Sequence, residues 1–136
     1  MTPARPIPRA EPFAAPYWEA LRRHEFLLPR STQTGEFFLP IRAIAPGPFE
    51  WAAARPNGTI VSYSWVHLQP SDGYAEELPY VLAVVALDDG PQLMTNIVDA
   101  SEDQVRIGRR VRLVFEERAE GWVVAQFTPI EPTEDR

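Results

Sequence analysis

From Thr59 onward the chain is a series of β-patterned runs broken by turns, and this feature most narrows the folds open to it. "TIVSYSWVHL" alternates Val61, Tyr63, Trp65 and His67 with Ile60, Ser62, Ser64, Val66 and Leu68, the two-residue period of a half-buried strand. "PYVLAVVALDDG" is a nearly continuous apolar strand closed by Asp88-Asp89-Gly90, and "PQLMTNIV" is a third. In "DASEDQVRIG" Ser101 precedes two acids, the pattern of a capped short helix over 101–105. "RRVRLVFEE" alternates Val111, Leu113 and Phe115 against Arg110, Arg112 and Val114, and "GWVVAQFTPI" is the last strand. Five strands with one short helical segment between the third and fourth is the order of an OB-fold, a small Greek-key barrel. The glycines are read as turn residues, Asn57-Gly58 among them, and none as interrupting a strand.

The N-terminal part is organised differently. Residues 1–16 contain Pro3, Pro6, Pro8, Pro12 and Pro16 and read as an extended arm. "PYWEALRRHEFLL" predicts a helix over about 17–25, with Tyr17, Trp18 and Leu21 buried and Arg22, Arg23 and His24 toward solvent. A hairpin follows, with strands over Phe26–Leu28 and Glu36–Leu39 and a turn over Ser31–Gly35, Gly35 supplying the positive φ. "APGPFEWAAARPNG" then reads as a Pro-rich loop. The expected organisation is an arm (1–16), helix and hairpin (17–51), barrel (52–130) and polar tail (131–136).

The absence of cysteine rules out disulfides, thiolate metal sites and a Cys nucleophile. Two histidines, His24 and His67, stand forty-three positions apart, which argues against a His-rich metal site. Ser62, Ser64 and His67 are neighbours in sequence, but no triad is defined by sequence distance, and isolated glycines write neither a Walker loop nor a dinucleotide fingerprint. No apolar run reaches the ~20 residues of a membrane span, and the expected location is cytoplasmic. The net charge is −6, and all thirteen basic residues are arginine. That charge opposes a phosphate backbone unless the arginines are segregated on one face.

The order of these pieces carries a resemblance. "YWEAL", "FLLPRSTQTGEFFLPIRAIAP", "FEW", "NGTIVSYSWVH", "LPYVLAVVALDDGPQLMTNIV" and "IGRRVRLVFE" together resemble, over about residues 16–130, the acyl-CoA-associated zinc-ribbon/OB-fold family catalogued as domain-of-unknown-function family thirty-five. The resemblance implies a mainly β protein in which an N-terminal helix and a rubredoxin-like zinc-ribbon hairpin precede a five-stranded OB-fold barrel. The family's ribbon has Cys-x-x-Cys-Gly, then Pro-Arg, then Cys-Pro-x-Cys. Here Ser31, Thr34, Ala45 and Pro48 stand at the four ligand places, while Gly35, Pro40, Arg42 and Pro46 keep the surrounding pattern. The ribbon is expected to be metal-free, with zinc not expected. The resemblance further implies a non-catalytic subunit, not an enzyme, that binds acyl-CoA or scaffolds a thiolase-like or hydratase-like partner, with a CoA thioester as possible ligand.

Five residues are candidates for ligand or partner contact. Arg30 and Arg42 flank the ribbon turns and could meet CoA phosphates or a partner's acids; the plainer reading is a solvated edge or local salt bridge. Phe37 and Phe38 face opposite sides of a strand, so one is core and Phe38 is a candidate for stacking. Trp65 shares a face with Tyr63 and His67. For the two aromatics core packing is the favoured reading, and His67 reads as a rim histidine. The run Arg106, Arg109, Arg110 and Arg112 reads as an outer strand face balanced by Asp103, Glu116 and Glu117. The alternative function is an OB-fold binder of single-stranded nucleic acid, which needs a basic groove with stacking aromatics; the net charge opposes it, and no nucleic acid or membrane partner is expected.

Overall fold

Regular structure begins earlier than the aromatic pattern predicts. In the computed structural model, which describes residues 12–40, 47–67 and 79–131, a 3-10 turn over Pro12–Ala14 leads directly into helix α1, Ala15–Arg22. The helix therefore does not wait for residue 17 behind an arm that runs to 16. Pro16 lies in the first turn, where a missing N–H forfeits no helical hydrogen bond. The helix stops at Arg22 rather than 25 because His24 turns left-handed, with φ 58°. The His24 N–H closes on Leu21 O and the Glu25 N–H on Ala20 O. Most of the predicted arm (1–11) and of the tail (132–136) lies outside the described residues.

Strand β1, Leu27–Ser31, pairs antiparallel with β2, Phe49–Ala53, from Leu27 opposite Ala53 to Ser31 opposite Phe49. Here the sequence reading is corrected twice. Glu36–Leu39 is not a strand: it touches β1 through one bridge, Arg30 to Phe37, made by the bonds from the Ser31 N–H to Glu36 O and from the Phe38 N–H to Pro29 O. The strand partner lies instead inside the predicted loop, since "FEWAA" between the flanking prolines keeps every N–H and brings two aromatics suited to a strand. A zinc-ribbon hairpin is thus not shown; a two-stranded sheet stands in its place. Phe13 and Phe38 pack on Phe49 at centroid distances of 5.6 and 5.7 Å, and Trp51 lies 6.3 Å from Phe49. This aromatic cluster ties the sheet to the turn before α1.

The remaining strands are β3 (Asn57–Val66), β4 (Tyr80–Leu87), β5 (Gln92–Ile97), β6 (Arg110–Glu117) and β7 (Val123–Pro129). They close a barrel in the order β3-β4-β5-β7-β6, the five-stranded architecture expected. The segment between β5 and β6 holds one 3-10 turn, Glu102–Gln104, rather than a helix over 101–105. The Gln104 side chain reaches back to accept the Ser101 N–H.

Two details of β3 overturn the simple alternation. The pairing with β4 shifts between Ile60 and Ser62, so Val61 is an extra residue. Ile60 is fully buried, Val61 is 36% exposed, and Tyr63 and Trp65 turn inward beyond the bulge and pack on the core. A bulge of one residue reverses which parity faces inward, and an unbroken period of two cannot anticipate it. Gly58, read as a turn residue, lies within the strand between Leu87 of β4 and Val111 of β6. A Cβ there would sit 2.6 Å from Val85 Cγ1 and 2.7 Å from Ala86 O. Glycine is required by backbone approach, not by turn conformation.

One continuous core joins both parts of the chain. Leu21, Phe26, Leu28 and Ala54 belong to the same buried cluster as Ile60, Val85, Val111 and Phe127. Each large apolar side chain in it contributes ~1.5–3 kcal/mol by burial. The weakest seam is β5 against β7, paired in parallel at the single position Ile97–Phe127. There the buried Gln126 supplies what the ladder lacks, accepting from the Asn96 N–H and donating to Glu116 at 2.9 Å.

Candidate functional site

The end of β3, the start of β4 and the end of β5 meet in register, with Trp65 opposite Val81 and Val81 opposite Ile97. At this end of the barrel, β6 forms the facing wall of a cleft of about 530 Å³. Its aromatic walls are Trp65, Tyr80 and Phe115, and its carboxylates are Asp99 and Glu116. Asp99 follows β5 in a left-handed conformation (φ 52°), which aspartate tolerates better than most residues. Glu116 is held from behind. Its Oε2 accepts from Gln126, and its Oε1 lies 3.5 Å from Arg118 Nη2. Outside the cleft, His24 stacks flat on Phe115 at 4.8 Å.

A second cleft, about 520 Å³, lies between the N-terminal segment and the outer side of the barrel, walled by Tyr17, Trp18, Leu39, Leu93 and Met94. It is far more apolar, and Met94 is 68% exposed. Burial pushes the Tyr17 hydroxyl up to about 12, because the phenolate cannot be hydrated there. Among the described residues, neither cleft is lined by an arginine.

The four nominated residues that the structure describes, Arg30, Phe38, Trp65 and His67, do not converge. Trp65 alone lines the barrel-end cleft. Arg30 lies on β1, donates to Glu50 Oε1 at 2.6 Å and sits 5.6 Å above the Phe37 ring. Phe38 belongs to the aromatic cluster of the two-stranded sheet. His67 follows β3 as an exposed residue, and Arg42 falls outside the described residues. Three of the four arginines of the run, Arg106, Arg109 and Arg110, are spent internally, with partners other than those expected, while Arg112 is exposed. Arg110 makes a two-pronged contact with Asp88 at 2.7 and 2.8 Å, which holds the Asp88 carboxyl below the usual carboxylate range. Arg109 donates to Ile130 O, and Arg106 to Glu102 O and Val105 O. Sequence reasoning missed Tyr80, Asp99, Phe115 and Glu116. Only the strand pairing brings them together.

Zinc chemistry does not fit the turn after β1. Ser31 Oγ accepts the N–H groups of Gln33 and Thr34, both at 3.2 Å, and Thr34 Oγ1 accepts the Glu36 N–H. These hydroxyls are turn acceptors, and no thiolate is present. Among the described residues, no three of His, Asp and Glu gather as a metal site. No described helix is long and apolar enough to cross a membrane.

Residues 51–116 match the family described as ChsH2, C-terminal OB-fold domain. A "DUF35 domain-containing scaffold protein" of Methanothermobacter thermautotrophicus is 34% identical over 106 residues, covering 74% of this chain and 79% of that protein. A "probable enoyl-CoA hydratase alpha subunit" of Thermomonospora curvata is 29% identical over 133 residues, covering 96% of this chain but 42% of that longer protein. A chain of the solved "Ltp2-ChsH2(DUF35) aldolase" superposes with a TM-score of 0.77 at 27% identity, covering 90% of this chain and 98% of that one. The chain belongs to the DUF35 family.

Proposed function

We propose that this DUF35 protein is a non-catalytic scaffold subunit that docks on a thiolase-like or hydratase-like enzyme of acyl-CoA metabolism. The observation that carries the reading is the near end-to-end likeness to the DUF35-bearing chain of the Ltp2-ChsH2 aldolase. The relative named as a hydratase subunit supports the same class of partner, and the archaeal relative carries the word scaffold in its name. The site chemistry agrees. No nucleophile–base pair is assembled among the described residues, and the only described histidine beside a cleft wall stacks on Phe115 rather than facing a hydroxyl.

The same geometry favours scaffold over free-standing acyl-CoA carrier. A carrier needs cations where the phosphates lie, and Arg30 is already committed to Glu50. Among the described residues no arginine lines either cleft, and both offer aromatic and apolar surface instead. A CoA thioester bound in the assembly would therefore take its phosphate contacts chiefly from the partner. For the nucleic-acid alternative, three of the four arginines that could have formed a basic groove, Arg106, Arg109 and Arg110, are tied to backbone carbonyls, Glu131 and Asp88.

The test is co-expression with a thiolase-like or hydratase-like enzyme of the same organism, followed by light scattering on a sizing column and titration with coenzyme A. A stoichiometric complex is expected, with CoA bound by the complex and not by this chain alone. A chain that stays uncomplexed, or that turns over an acyl-CoA by itself, refutes the proposal.

A further inference from the structure

The barrel-end cleft combines features that select for a particular ligand chemistry. Three aromatic rings, Trp65, Tyr80 and Phe115, wall a space that also exposes the carboxylates of Asp99 and Glu116. Among the described residues no arginine lines it. Arg118 lies 3.5 Å from Glu116 with its side chain 10% exposed, behind that carboxylate's other bond to Gln126. Asp99 makes no ion pair among the described residues, and its left-handed backbone fixes where it stands at the end of β5. Aromatic faces attract cations and carboxylates pair with them, whereas the phosphates of a nucleotide would be repelled here.

We propose that this cleft receives an arginine side chain presented by the partner enzyme. Arginine fits better than lysine because its planar guanidinium stacks on an aromatic face while its edge donates to a carboxylate. Asp99, which makes no ion pair among the described residues, is placed to accept that edge, while Glu116, already joined to Gln126 and Arg118, adds a fixed negative charge to the cleft. At about 530 Å³ the cleft is larger than one side chain, so it takes the arginine with part of its backbone. The inference rests on the scaffold reading only for where the arginine comes from; the recognition chemistry belongs to the cleft.

Two measurements separate these parts. In the first, the isotopically labelled full chain is titrated with a blocked Gly-Arg-Gly tripeptide and with its citrulline counterpart, which keeps the shape and loses the charge. The Trp65 indole signal, assigned through Trp65→Phe, and the amides of Val98 to Ala100 are expected to move with the arginyl peptide only. Asp99→Asn is expected to weaken the response about two- to five-fold, as for a partly exposed ion pair. No response at these positions, an equal response to citrulline, or a preferred response to coenzyme A overturns the proposal. In the second, Asp99→Arg with Glu116→Gln is tested for complex formation with the co-expressed enzyme, after its melting curve is matched to wild type. Loss of a complex that wild type forms supports the cleft as the docking point. A complex of undiminished strength overturns the cleft proposal and leaves the scaffold reading standing. Failure of wild type itself to form a complex overturns the scaffold reading, and the peptide titration still decides the cleft.

Discussion

Replacing Gly58 by alanine should destabilise the protein, against the usual effect of removing a flexible glycine. Shortening the list of unfolded conformations by a Gly→Ala change is worth ~0.4–1 kcal/mol in favour of the fold where the backbone allows it. Here the new methyl would stand 2.6 Å from Val85 Cγ1 and 2.7 Å from Ala86 O, about 1 Å inside the normal carbon contact distance. Val85 is fully buried and has no open space to rotate into. The Ala86 carbonyl belongs to a strand paired on both sides, to Thr59 of β3 and Gln92 of β5. Overpacking of this kind costs ~1–3 kcal/mol, so the net loss should be about 1–2 kcal/mol. At roughly 3–5 °C per kcal/mol for a domain of this size, Tm falls by about 3–10 °C. Thermal unfolding followed by circular dichroism reads this directly. Val85→Ala removes one of the two obstacles, so the double variant should lose at least ~0.5 kcal/mol less than the summed single losses. A Gly58→Ala protein that melts at or above wild type would refute the claim that β3 and β4 approach too closely there for a side chain.

Three further outcomes are expected. Asp88→Asn should lower stability at neutral pH by up to ~1 kcal/mol, since it breaks a partly exposed ion pair with Arg110. Because the Arg110 hydrogen bond lowers the folded carboxyl, that contribution is present above the unfolded value near 3.9 and fades as pH drops through the folded one; urea titrations at neutral and acid pH should show the two proteins converging below about pH 4. Tyr17 should form phenolate only near its raised value of about 12, and the stability it lends as a neutral group should be lost as pH climbs from ~10, the unfolded value, through that point, as ultraviolet absorbance and urea titrations at alkaline pH would show. Ser31→Ala should cost ~0.5–1.5 kcal/mol by orphaning the amides of Gln33 and Thr34, while a chelator leaves the wild-type melt unchanged and elemental analysis finds no stoichiometric zinc.

The barrel was legible because its signal is redundant. Strands β4 to β7 each carry their own alternation or apolar run, and the turns between them are marked by Asp-Gly or Gly residues. What failed were readings that local pattern cannot decide. Asn57-Gly58 has turn chemistry, yet the close passage of β4 places it inside a strand. "FEWAA" reads as loop when prolines on both sides are weighed, yet those prolines lie outside the five residues that pair. The helix boundary moved because Pro16 is as good inside the first turn as before it. The strand errors concern long-range pairing, which is information that a local window does not hold.

The candidate site shows the same divide more sharply. Arg30, Phe38, Trp65 and His67 were nominated one at a time from residue type, and the fold distributes them over the two-stranded sheet and the end of β3. The cleft instead collects residues from four strands, none unusual in its own segment: a tyrosine opening β4, an aspartate after β5, a phenylalanine and a glutamate in β6. Their meeting follows from the registers Trp65–Val81 and Val81–Ile97 together with the seam at Ile97–Phe127. That seam has only one ladder pair, and Gln126 closes it with a side chain whose other end holds Glu116 in the cleft wall. A buried glutamine in an apolar strand costs stability unless both ends are satisfied; here one end joins β5 to β7 and the other fixes a carboxylate on β6. Closing the barrel and presenting a fixed acid at its end are therefore the same set of bonds. Gln126→Leu should disturb both together, lowering stability by ~1–3 kcal/mol through the orphaned Asn96 N–H and weakening the response of the cleft to the arginyl peptide. A variant that lost one property and kept the other would show that the seam and the site are separable.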